Sequence, residues 1–311
     1  MKNKIIQIQK QYASDLSKSG LDYLKIGLEQ FHKRRFSDYL GLQTSLGNIT
    51  ISIELILKAF LADKNLSLIF TGLPLELKVI LTCPESIPSN NSWRNYDLKF
   101  RFGDYKTIEL DECISSFFIF KPALKQSLHS HFRVISKSRN ASVHSVFPSL
   151  KKYEIERVAY VALQLLESIK DSSLFKFSYL SLSDNDKDFL SKFQEDRIER
   201  VKKAIEKAKE KAHKVEGAGS SISVDSWEIY TTSCPVCESD ALLIGYTEPY
   251  AEQEEVDFWS LGLNFFADSF GCDNCGLTLE DSEEIRLSGI DTNYDRTDEI
   301  DNYPFDDPGD Y

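Results

Sequence analysis

Two cysteine pairs constrain this chain more than any other feature. CPVC occupies residues 234–237 and CDNCG residues 272–276, with 34 residues between them. A C-x-x-C turn offers two thiolates from one tight knuckle, and two knuckles complete the tetrahedron that zinc adopts in structural sites. Gly276 follows the second pair and suits the sharp turn out of it. Between the pairs, ALLIGY and FWSLGLNFF are strand-like. The pattern predicts a β zinc ribbon over 231–280, with Cys234, Cys237, Cys272 and Cys275 holding a structural Zn2+. Four protein ligands leave the ion no open position for catalysis. The competing reading, redox chemistry at a C-x-x-C, calls for a thioredoxin-like βαβ setting that the sequence lacks. An acidic loop, EPYAEQEEVD at 248–257, points the ribbon towards protein contact or scaffolding. Cys83 and Cys113 stand alone and read as buried thiols.

Composition adds less than charge distribution. Hydrophobic residues at 41% and charged residues at 28% are those of a globular chain. No apolar run approaches the roughly 20 residues that span a bilayer. The opening MKNKIIQIQKQYASDL is polar and lacks a signal peptide's apolar core. The expectation is a cytoplasmic protein with no membrane partner. The net charge of −12 is concentrated: residues 280–311 hold 12 acids against two arginines, leaving −2 on the other 279 residues. The total therefore does not exclude a nucleic-acid partner.

Ahead of the ribbon the periodicity is helical. Leu21, Leu24, Ile26/Gly27, Leu28 and Phe31 mark one helix; Ile49, Ile53, Ile56, Leu57, Phe60 and Leu61 mark a second. On the second, Glu54 and Lys58 are four apart and are expected to pair on its surface. Prolines at 74, 84 and 88 interrupt an insertion at about 65–106, in which YDLKFRFGDY suggests a hairpin or extended arm. A short helix is predicted over 107–120. Pro122 opens a longer one, with Leu124, Leu128, Phe132 and Ile135 in a stripe whose next step is Arg139. A further helix covers 151–170, with Ile155, Val158, Ala159, Ala162, Leu165, Leu166 and Ile169 on one face.

At the end of the 122 stripe stands SKSRNASVHSVFP, residues 136–148. Histidine can exchange a proton with a ribose 2′-OH or a leaving oxygen near neutral pH. Arginine can hold a phosphate and stabilise charge developing on it. Asparagine can orient either. Five residues on an unbroken helix turn through about 140°, so Arg139 and His144 converge only if the helix ends or kinks near Asn140, or if a second chain supplies its own motif.

This segment resembles the HEPN superfamily, small all-helical domains whose signature is an arginine, an adjacent polar residue and a histidine four to six residues after the arginine. Arg139, Asn140 and His144 match it. SIELILKAFLA is similar to the second helix of such domains, with Glu54 where an acid is often found, and KTIELDECISSFF to the element before the motif helix. The likeness covers roughly residues 10–170. It implies a metal-independent endoribonuclease: Arg139, Asn140 and His144 catalytic, two domains pairing so that both motifs line one cleft, and a 2′,3′-cyclic phosphate or related end on the product. It implies a homodimer through the helical domain and an RNA substrate such as tRNA. Such proteins are commonly toxins or anti-phage defence effectors, which brings in an antitoxin or defence partner. Lys137 would add phosphate attraction and Glu54 an auxiliary acid. Two other readings stand beside this one. The same fold can bind a nucleotide or a protein without cleaving, and Arg139 and Asn140 can simply cap a helix end.

Of the other histidines, His129 and His131 read as solvated helix positions, and His32 and His213 as surface residues in basic runs. Residues 197–214 carry eight Lys/Arg against three Glu around a stripe of Ile198, Val201, Ile205 and Ala208. This basic amphipathic helix could track a phosphate backbone. The acidic tail could compete with RNA for such a surface.

The fold expected is mainly α. A HEPN-like helical bundle at 1–170 is followed by a connector with the basic helix at 171–230. The ribbon at 231–280 and an acidic tail at 281–311, too poor in apolar residues to fold alone, complete the chain.

Overall fold

Ala13, Gly20 and Gly27 stand seven apart in the first helix and set how closely the second can approach. In the computed structural model, α1 (Lys2–Arg34) lies antiparallel to α2 (Tyr39–Lys64). A Cβ on Gly20 would come within 2.9 Å of Ile56 Cγ1, and one on Gly27 within 2.7 Å of Ile49 Cγ1. The Gln9 side-chain amide donates to the Asp63 carbonyl at 3.0 Å, and Ser45 Oγ to the Gly27 carbonyl at 2.8 Å. The structure describes residues 2–34, 39–73, 105–125, 152–170, 182–212, 228–255 and 258–304, together with positions 78, 81–82, 128, 131–132 and 135.

The chain divides into two units, 1–190 and 191–311. The first is helical. Every apolar residue expected on the inner face of α2 is buried, from Ile49 at 0% exposure to Phe60 at 3%. The stretch Thr44–Lys64 is long and apolar enough to cross a membrane, contrary to the sequence expectation, but 72% of it is buried as a core helix would be. Phe70 bridges Thr107, so that the two ends of segment 71–106 meet at its base. The proposed hairpin within that segment lies outside the described residues. α3 (Leu110–Phe120) begins with Glu112 accepting from the Glu109 amide at 2.7 Å, and buries Cys113 and Phe117 completely. After the turn Pro122–Leu124, Leu128, Phe132 and Ile135 are helical and buried. α4 (Lys152–Ile169) buries all seven residues of its predicted face.

Helix α5 (Asp184–Ala212) starts well before the predicted basic helix and replaces part of the expected connector. Its portion in the second unit buries Arg197 (1%), Val201 and Ala208, while Ile198 is 39% exposed. Val201, Ile205 and Ala208 of the expected stripe therefore face the core, but Ile198 does not, and Arg197 takes the inner position beside it.

The second unit is a five-stranded antiparallel sheet. Strands β1 (Ile229–Ser233), β2 (Asp240–Glu255), β3 (Phe258–Gly271) and β4 (Thr278–Leu279) follow chain order, and β5 (Asn293–Asp295) joins β3 through Asn264–Phe266. A register shift falls at Ile244/Gly245. There a side chain on Gly245 would strike the Phe266 carbonyl oxygen, 1.9 Å from an added Cβ.

The expectation of an unstructured acidic tail is corrected over residues 281–304. Residues 282–302 form α6 (Ser282–Leu287), β5 and the turn Thr297–Asn302. Ile285 and Ile290 enter the core with Leu243, Phe265, Phe270 and Val201, and Tyr294 stacks on Tyr230 at 4.2 Å between ring centroids.

Candidate metal centre

Each cysteine pair leaves a β-strand and turns back within five residues. In the first knuckle the Cys234 amide donates to the Ser239 carbonyl at 2.9 Å, and the Glu238 amide to the Cys234 carbonyl at 3.0 Å. The second repeats both bonds position for position: Cys272 to Leu277 at 2.9 Å, and Gly276 to Cys272 at 2.8 Å. The residue after each second cysteine is left-handed, Gly276 at φ 70° and Glu238 at φ 60°. Gly276 accepts this without strain. Glu238, the one non-glycine residue at positive φ among those described, does so at a steric cost.

The pairing of β2 with β3 brings the knuckles face to face. All four Sγ atoms lie within 4.8 Å of one another. Cys234 and Cys275 are 3.6 Å apart, as are Cys237 and Cys272. A tetrahedral ion with metal–sulfur bonds of about 2.3 Å needs sulfur–sulfur edges of about 3.8 Å, so the four thiols fit a single ion. Cys234, Cys272 and Cys275 are buried in the sheet core, and Cys237 is partly exposed.

The thiols are electrostatically unequal. Burial pushes Cys234 and Cys275 up. Burial acts on Cys237 in the same direction, but hydrogen bonds from Asn274, Ser239 and Cys272 outweigh it and bring it to about 6. Asn274 also donates to Ser239 Oγ at 2.9 Å, which ties the two knuckles together. The four expected ligands are thus brought together and can hold a structural metal ion.

The other candidate residues divide. Arg139, Asn140, His144 and Lys137 lie outside the described residues, as do Cys83, His129 and His213. Glu54 is described and does pair with Lys58, at 2.7 Å, but inside the unit instead of on its surface. The side chains are 16% and 8% exposed, and Lys58 also donates to Thr107 Oγ1 at 3.0 Å. His131 is not solvated: it is 2% exposed, and its Nδ1 accepts from Arg157 Nε at 2.6 Å. His32 is partnered as well, by Asp186 at 2.8 Å. Neither partnership has a sequence signal, since the residues are 26 and 154 positions apart.

Compared with protein-family models, curated proteins and solved structures, the chain has no match in any of the three.

Proposed function

We propose that the chain is a metal-independent endoribonuclease of HEPN type carrying a structural zinc ribbon. The observation that carries this reading is the motif Arg139-Asn140-x-x-x-His144. It begins four residues beyond Ile135, at the end of a stripe whose members Leu128, Phe132 and Ile135 are buried in a unit whose described residues are mainly helical. In the proposed reaction His144 takes the proton of a ribose 2′-OH, the 2′-oxygen attacks the adjacent phosphorus, and the 5′-oxygen leaves with a proton. The products are a 2′,3′-cyclic phosphate and a 5′-hydroxyl. Arg139 stabilises the charge on the phosphoryl oxygens, and Asn140 positions the pair. Zinc is the ion the ribbon would take, since four thiols in a tetrahedron select it over harder cations. It takes no part in the cleavage.

The test is incubation of the full chain with total tRNA in EDTA, with zinc content assayed afterwards and the 3′ ends of the products analysed. His144→Ala and Arg139→Ala run beside it, their folding checked by circular dichroism. Cleavage to cyclic-phosphate ends by the wild type alone supports the reading. Intact RNA, or equal cleavage by folded variants, rejects it.

One observation favours a second reading, a non-catalytic module that binds a protein. Ile244 and Tyr250, on the outer face of β2, are 48% and 37% exposed, with the stacked rings of Tyr246 and Phe266 between them, an apolar surface suited to a protein contact. On that reading both variants keep the partner, while Ile244→Lys loses it.

A further inference from the structure

The helical unit contains a cleft of about 590 Å³ between α1, α4 and the start of α5. That volume is within the range of small-molecule sites, about 300–1,000 Å³. Its apolar lining is leucine: Leu21, Leu24 and Leu28 from α1, Leu163 and Leu166 from α4, and Leu182 before α5. One polar constellation meets this lining. His32 Nε2 lies 2.8 Å from Asp186 Oδ1, with the two side chains 20% and 11% exposed.

Asp186 is fixed from its other side. Its Oδ2 accepts from Ser183 Oγ at 2.6 Å and from the Ser183 amide at 3.0 Å, while its own amide donates to Ser183 Oγ at 3.2 Å. This reciprocal capping box at the head of α5 locks the carboxylate. The imidazole packs edge-on against Phe31 and Phe189, with centroids 5.4 and 6.2 Å away, and those two rings are in edge contact with each other at 5.1 Å. A carboxylate can only accept, so Nε2 must be the donor. In the neutral ring the lone pair is therefore on Nδ1. Among the described residues Nδ1 has no hydrogen-bond partner. Capping accounts for Oδ2. It does not account for an oriented imidazole at the wall of a leucine-lined cleft.

The rim charges balance. Asp22 and Glu29 offset Lys25 and Lys33, and Asp186 is taken up by His32 and Ser183. The opening therefore favours neither an anion nor a cation. We infer that this cleft is a binding site for an uncharged amphipathic small molecule, whose apolar body rests on the leucines and whose hydroxyl donates to Nδ1 of His32. The inference does not depend on the nuclease reading.

The experiment compares 2-naphthol with 2-methoxynaphthalene, probes alike in apolar body but differing in the hydrogen-bond donor. Binding to the full chain is followed by saturation-transfer NMR and fluorescence titration at pH 8. One hydrogen bond to a neutral acceptor makes 2-naphthol about tenfold tighter. His32→Phe keeps a flat ring and removes that preference without weakening the methoxy compound. Leu21→Trp, which adds bulk at a partly buried position of the lining, weakens both probes. Melting curves establish that each variant is folded, and the wild-type ratio stands as a test whether or not they are. Equal affinities in the wild type, no binding of either probe into the millimolar range, or a preference that survives in folded His32→Phe would overturn the assignment.

Discussion

Zinc uptake should release protons in a number that changes near pH 6, because the four thiols are unequal. Metal binding requires thiolates, so every thiol still protonated in the metal-free folded chain must lose its proton to the solvent. At pH 7–8 Cys237, held to about 6, is already ionised. Cys234 and Cys275, pushed up by burial, are not. Each zinc therefore displaces at least two protons. The apparent Kd then falls about 100-fold for each unit of rising pH, since each released proton contributes a factor of ten. Below pH 6 Cys237 is protonated too, and the slope steepens to at least about 1,000-fold per unit. The sign is fixed: acid competes with zinc, and affinity rises with pH throughout. The assay is calorimetric titration of reduced, metal-free chain in buffers of different ionisation enthalpy, with a chromophoric chelator setting the affinity scale from pH 5.5 to 8. Fewer than two protons at pH 7.5, or a slope that does not steepen below pH 6, would refute the reasoning. The first outcome would mean that burial does not hold Cys234 and Cys275 up. The second would mean that Asn274 and Ser239 do not hold Cys237 down.

Three further outcomes follow from the packing. Lys58→Ala removes the buried lysine that pairs with the Glu54 carboxylate and should cost about 3 kcal/mol in chemical denaturation, whereas Lys58→Met with Glu54→Gln should recover most of it. Gly27→Ala should destabilise by about 1 kcal/mol despite alanine's better helix propensity, because the new methyl meets Ile49 at 2.7 Å; a gain of similar size would show that α1 and α2 can separate freely. Asp281→Ala should cost about 3 kcal/mol or more. It removes both the cap of α6, where Asp281 accepts from the Glu284 amide at 2.8 Å, and the counter-charge of fully buried Arg197; unchanged melting would show that neither contact matters.

What could be read from the sequence depended on whether one element's own pattern determined the outcome. The core faces of α2 and α4 were legible because apolar residues recur there at helical spacing; the all-round burial of residues 56–62 and 157–163 was not, because it depends on neighbouring elements. The knuckles were legible because ligand spacing is local. The heptad of Ala13, Gly20 and Gly27 was a signal of close helix packing that went unread. Glu238 escaped because nothing in its side chain announces a left-handed backbone; only its equivalence to Gly276 does. His32 with Asp186, and His131 with Arg157, join residues far apart in the chain, and no periodicity connects them. The tail was misread for a different reason. Ile285, Ile290 and Tyr294 are too few to build a core, but they are enough to complete one that β2, β3 and α5 have already begun.

The two charge runs show where that misreading matters for function. Read separately, residues 197–214 were a basic helix available to phosphate, and 280–311 an acidic tail available to compete with RNA. In the folded second unit their first members are paired with each other. Arg197 lies 3.6 Å from Asp281, and Arg200 donates to Glu284 at 2.9 Å. Arg197 is also stacked over Phe193, with its guanidinium carbon 5.0 Å from the ring centroid. Arg197 is on the inside of the structure, where phosphate can reach it only if α6 leaves, whereas Arg200 is 38% exposed and is engaged by Glu284. Removing residues 281–311 to relieve a supposed autoinhibition would therefore delete β5, α6 and part of the core at the same time. A change in RNA binding after that deletion would report unfolding of the ribbon as readily as release of a competitor. The informative truncation is at Pro304, which leaves every described contact of the sheet in place. If RNA affinity at low salt then rises, residues 305–311 compete with RNA. If it does not, the acids at 281–284 are part of the ribbon's own fold, and the charge that RNA would meet must be sought elsewhere on the chain.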